Sequence, residues 1–148
     1  MITIRLPKLF KIVLFTNLTI AWLSGISFYV LNRWMTVEGE FGPEKHFLQY
    51  PSLKIHGACA FISMLMFGAL LFAHAPRGWH LRRSLKSGLS LTSLILFQII
   101  TAYLLYYAAS ELLRSYIANT HLFVGLLLPV FIFLHHYSHK NKINKRLE

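Results

Sequence analysis

The sequence predicts an all-α protein, a four-helix transmembrane bundle forming one domain over residues 1–148 with both termini cytoplasmic. Three observations predict it. Four runs contain no Lys, Arg, Asp or Glu, and each is 21 to 25 residues long. Only 14% of the residues are charged and 55% are hydrophobic, whereas a soluble domain carries roughly a quarter charged residues. Finally, the excess positive charge falls on alternate connections only.

The first run, Ile12 to Asn32, predicts a helix over about 10–32. A basic leader (Arg5, Lys8, Lys11) precedes it, but the run is too long for the apolar core of a secretory signal and no small-residue cleavage site follows, so a retained helix is expected. The runs Ile55–Pro76, Ser87–Ser110 and Ser115–His139 predict helices over about 53–76, 86–110 and 115–138. About 20 helical residues cross the ~30 Å hydrocarbon core, so all four qualify. Their few interior polar residues, Asn17, Thr19, Gln98 and Thr101, read as helix–helix hydrogen-bonding groups. Pro129 is expected to kink the fourth helix and free a backbone carbonyl.

The longest connection lies between the first and second helices. It carries the turn formers Gly39, Gly42, Pro43 and Pro51, with Trp34 and Tyr50 suited to the membrane interface. It leaves room for a short amphipathic or re-entrant piece. Tyr103, Tyr106 and Tyr107 read as an aromatic belt at the end of the third helix.

A net charge of +10 and a pI near 10.1 would ordinarily raise nucleic acid as a partner. The distribution argues otherwise. Arg5, Lys8, Lys11, Arg77, Arg82, Arg83, Lys86, Lys140, Lys142, Lys145 and Arg146 fall on one side with only Glu148. The opposite side holds Arg33, Lys45, Lys54 and Arg114 against Glu38, Glu40, Glu44 and Glu111. By the positive-inside rule the basic side is cytoplasmic. The basicity therefore reports orientation, the lipid bilayer is the expected partner, and nucleic acid is not.

Eight histidines are many for so apolar a chain. The second helix begins at His56 and ends at His74; the fourth holds His121 early and His135, His136 and His139 late. At 100° per residue, the 18 residues from His56 to His74 close five turns, and the 14 from His121 to His135 leave about −40°. Each helix thus offers one histidine near each membrane face, on one side of the helix. His136 sits about 60° away and is the weaker candidate, whereas His139 returns to about 0° and stays an alternative to His135. Along the axis 14 residues rise ~21 Å and 18 rise ~27 Å, a mismatch for tilt, imidazole reach or His139 to absorb.

A lone histidine at a membrane boundary is ordinarily an interfacial polar residue, and His46 and His80 read that way. Four at matched spacing on two co-directional helices point to bis-imidazole ligation of two haem b groups, His56 with His121 and His74 with His135. Gly57, Gly68 and Gly125 are the small residues expected beside a planar macrocycle. Cys59 is the only cysteine, which excludes a C-x-x-C-H attachment site and leaves any haem non-covalent. Arg33, Lys54 and Arg114 on one face, and Arg82, Arg83 or Lys86 on the other, are candidate partners for haem propionates. Nucleophilic triads, carboxylate pairs, P-loops and Gly-rich dinucleotide loops are absent, and no acid lies inside a span.

The segments Lys54-Ile55-His56-Gly57, His74, and His121 with Gly125, Pro129 and His135 resemble the small bacterial four-helix di-haem cytochrome b proteins. More distantly the chain is similar to the cytochrome b subunits of quinol-oxidising complexes and membrane hydrogenases. The likeness covers about Leu53 to His136. The 14-residue His121–His135 interval resembles the spacing in cytochrome b of quinol:cytochrome c oxidoreductases; the 18-residue interval in the second helix departs from it. The resemblance implies a bacterial inner-membrane protein that moves electrons between haems, to or from quinone or a partner redox protein, alone or within a larger complex. Two rival readings stand beside it: a cofactor-free accessory or assembly subunit, and a transporter or metal-binding membrane protein, which the lack of embedded acids disfavours.

Overall fold

The computed structural model describes residues 6–76 and 85–144, the side chains of 138–144 excepted. The connection 77–84 between the second and third spans, with Arg77, His80, Arg82 and Arg83, lies outside the described residues, as do Arg5, Lys145, Arg146 and Glu148. Four long helices and one hairpin make up the described chain: α1 Lys8–Trp34, β1 Thr36–Gly39, β2 Gly42–Lys45, α2 Gln49–Ala73, α3 Leu85–Tyr107 and α4 Glu111–Asn144. The protein is all-α in class, and Lys8–Trp34, Gln49–Ala73, Leu85–Tyr107 and Glu111–Tyr137 are each long and apolar enough to cross a membrane. The chain divides into two compact units, one ending at Leu70 and one beginning at Leu71.

In the first unit, α1 and α2 run antiparallel. Asn17 on α1 meets Cys59 and Ser63 on α2, Ala21 meets His56, and Asn32 meets Gln49. The buried residues of α1, Asn17, Ser24 and Leu31, recur every seven positions, the spacing of a helix seam packed at a shallow crossing angle. Cys59 and Met66 repeat that interval on α2. The Asn17 amide donates to the Cys59 carbonyl at 3.0 Å and to the Ser63 hydroxyl at 2.8 Å. At the other end the buried Gln49 amide donates to Asn32 Oδ1 at 2.9 Å, tying the end of α1 to the start of α2.

The connection between these helices holds an antiparallel hairpin in place of the amphipathic or re-entrant piece for which the sequence leaves room. Thr36 pairs with Lys45 and Gly39 with Gly42, leaving Glu40 and Phe41 as a two-residue turn. Gly42 has φ of 118°, open to glycine and strained for other residues, and Gly39 lies against the Glu44 side chain. His46 then starts α2: its Nδ1 accepts from the Leu48 N–H at 3.2 Å and its carbonyl from the Gln49 N–H. Pro51 falls in the first turn of α2, where a missing N–H costs nothing.

The second unit contains α3 and α4, joined by residues 108–110, a link short enough to require antiparallel neighbours. Ser110 caps α4 by accepting from the Leu113 N–H at 3.4 Å, and Glu111 complements the helix dipole in the first turn. α4 continues through Pro129 to Asn144. The rings of Tyr103 and Tyr107 lie 4.7 Å apart and exposed, at the end of α3 expected to carry an aromatic belt.

Burial is inverted relative to a water-soluble protein. Among the described residues the buried side chains are as often polar (Asn17, Ser24, Gln49, Thr101) as apolar (Leu31, Cys59, Met66, Phe67), while Phe61, Leu65 and Phe72 lie exposed. Lipid solvates apolar surface, so what a membrane helix buries is hydrogen-bonding capacity and small side chains. Asn17→Ala is accordingly expected to weaken the α1–α2 pairing by about 0.6–1.7 kcal/mol, read as a lowered midpoint of unfolding in mixed micelles.

Candidate functional site

The four histidines selected by helical spacing are all half-buried, whereas His136 is exposed. His56 lies in the first turns of α2, and His121 and His135 lie within α4. His74 follows Ala73, the last residue of α2, in a turn, so the helical phase that places it with His56 holds to its neighbour and then passes into the helix end. The backbone of His139 belongs to α4, and its side chain lies outside the described residues.

Three of these rings are held through the same nitrogen by the neighbouring helix of their own unit. His56 Nδ1 lies 2.8 Å from the Ala21 carbonyl on α1. A carbonyl only accepts, so His56 Nδ1 carries a proton and donates it. On the other unit His121 Nδ1 lies 2.8 Å from Thr101 Oγ1, and His135 Nδ1 lies 3.1 Å from Ser87 Oγ, both hydroxyls on α3. Thr101 and Ser87 are 14 residues apart, as are His121 and His135. Two antiparallel helices with equal intervals bring both pairs into register at once.

Glycines make the room. A Cβ on Gly25 would sit 2.9 Å from both Cε1 and Nδ1 of His56, closer than real side chains pack. Gly25 therefore lets the imidazole lie against the α1 backbone, where it reaches Ala21. Gly88 plays a looser part beneath His135, whose Cε1 would stand 3.5 Å from an added Cβ. Of the glycines that the sequence suggests for a macrocycle, Gly57 and Gly68 have nothing within 4 Å of an added Cβ, and Gly125 faces the Gln98 amide, with Nε2 at 2.7 Å from that position.

Nothing in the sequence pattern singles out Ala21, Gly25, Ser87 or Gly88, and Thr101 reads there only as a helix–helix hydrogen-bonding group. The matched 14-residue intervals on α3 and α4 are the available signal, but Ser90, Thr92 and Ser93 offer competing hydroxyls on α3. The Ala21 carbonyl carries no signal at all, because every residue has one.

The arrangement suits metal ligation by imidazole. Ligating histidines usually donate the second ring N–H to a carbonyl or another acceptor, which sets the tautomer and orients the ring. Among the described residues no three of His, Cys, Asp or Glu gather into a group able to hold a metal ion. An axially ligated haem asks only two side chains per iron. The donor chemistry of the histidines therefore fits haem b. No family model, curated protein or solved structure matches the chain.

The two glycine environments make a contrast that can be measured. Gly25→Ala is expected to displace the His56 ring and lengthen its bond to Ala21, seen as a changed His56 ¹⁵N signal. Gly57→Ala, with open space around it, should leave that signal in place.

Proposed function

We propose that this protein is a b-type di-haem membrane cytochrome that carries electrons across the bacterial inner membrane. The observation that carries the reading is the shared anchoring of His56, His121 and His135 through Nδ1 by a neighbouring helix. It turns three boundary histidines into oriented rings, which an interfacial polar residue does not need to be. The face-matched spacing from sequence supports the same assignment, with His56 and His121 serving one haem and His74 and His135 the other, His139 remaining the alternative to His135.

Bis-imidazole haem b, when bound, supplies a one-electron carrier with no open axial position, suited to electron transfer and not to oxygen binding. The chain's own residues do the rest. His56 is oriented by Ala21 and seated by Gly25; His121 is held by Thr101 and His135 by Ser87. Arg33, Lys54 and Arg114 bring positive charge to the ends of the spans on the extracytoplasmic side, where propionates need counter-charges. Electrons would enter from, or leave to, quinone or a partner redox protein, with this chain acting alone or as a subunit of a larger complex.

The purified protein, expressed with haem available, should show a Soret band and a reduced α-band, with two haems per chain. His56→Ala and His121→Ala should each lose the same single haem, and His74→Ala and His135→Ala the other. Loss of different haems by His56→Ala and His121→Ala would refute the pairing. A colourless protein that co-purifies with another membrane protein would replace the reading with that of an accessory subunit.

A further inference from the structure

Thr101 is the one buried residue among the described positions of α3, 5% exposed, and water does not compete for its hydroxyl. That hydroxyl has a single proton. It is directed back along its own helix to the carbonyls of Phe97 at 2.9 Å and Gln98 at 3.1 Å, a bond that threonine within a helix commonly makes. The same oxygen lies 2.8 Å from His121 Nδ1, and when its proton goes to either carbonyl it accepts from the ring. In that arrangement the ring proton of His121 is on Nδ1, and Nε2 is the nitrogen that faces a ligand.

We propose that Thr101 is a positioning residue that fixes the tautomer and rotation of the His121 imidazole, and so sets the donor strength of its Nε2 toward iron. The effect on a haem rests on the cytochrome reading; the effect on the tautomer does not. An acceptor on Nδ1–H raises the basicity of a ligating imidazole, which favours ferric iron. A hydroxyl that accepts does this without adding charge to an apolar span, where a carboxylate would be costly. Ser87 Oγ, 14 residues away on α3, lies 3.1 Å from Nδ1 of His135, the second candidate ligand of α4. The two histidines of α4 thus meet separate hydroxyls of α3.

The test compares wild type, Thr101→Val, Thr101→Ser and Ser87→Ala in nanodiscs. Valine keeps the shape of threonine and removes the acceptor, while serine restores it. In protein prepared without haem, ¹⁵N-histidine NMR, with His121 assigned by the signal lost in His121→Gln, should show Nδ1 protonated. Thr101→Val should move His121 toward the other tautomer, and Thr101→Ser should bring it back. In haem-loaded protein, Thr101→Val should raise the midpoint potential and shift the low-spin EPR signal of one haem only. Ser87→Ala should act on the other haem. A wild-type His121 protonated at Nε2, or a Thr101→Val protein with unchanged tautomer, potential and EPR signal, would overturn the proposal. Absence of any Soret band in wild type would remove the cytochrome reading alone, because the NMR comparison still decides the role of Thr101.

Discussion

An imidazole on an apolar membrane-length helix has a ring N–H to place where polar partners are few. That constraint organises the protein. Each of His56, His121 and His135 meets it by reaching from its own helix to an oxygen on a neighbour. The bond satisfies a polar group that would be expensive to leave unmade in lipid. It also joins two helices at a defined height, so orienting a ring and aligning a helix pair are one event.

The helices around these bonds follow the same logic. Lipid offers no hydrophobic reason for two apolar helices to associate, so packing and interhelical polar contacts decide which faces meet. On α1 and α2 the seam consists of Asn17, Ser24, Cys59 and Ser63 as well as Leu31 and Met66, and Gly25 admits a ring against the backbone. On α3 and α4 the seam is marked by Thr101 with His121, Gln98 with Gly125, and Ser87 with Gly88 beside His135. The polar residues that look out of place in a hydropathy profile are the ones that set register.

The candidate site inherits a division of labour from this arrangement. α2 and α4 carry His56, His121 and His135, while α1 and α3 contain no histidine and supply the groups that hold these three. In the proposed cytochrome the ligands would be positioned from helices that supply none of them. On the α3 side the tuning groups are replaceable side chains. On the α1 side the acceptor is a backbone carbonyl, and the adjustable element is the glycine that lets the ring approach it.

The four membrane-length helices are legible in the amino-acid sequence as four charge-free runs, because hydrocarbon thickness tests only length and composition. Their ends differ by a few residues from those the runs suggest: α2 begins at Gln49 where capping by His46 and a first-turn Pro51 allow it, and α4 begins at Glu111 under the Ser110 cap. The hairpin is not legible, since Gly39 and Gly42 announce turns without saying that Thr36 and Lys45 pair. The choice of the four histidines comes from helical periodicity, which is local arithmetic. Which oxygen holds which ring does not, because the bonds of His121 and His135 join residues 20 and 48 positions apart. Their partners are fixed by the antiparallel register of packed helices, which a list of residues along one chain does not contain and only the tertiary structure decides.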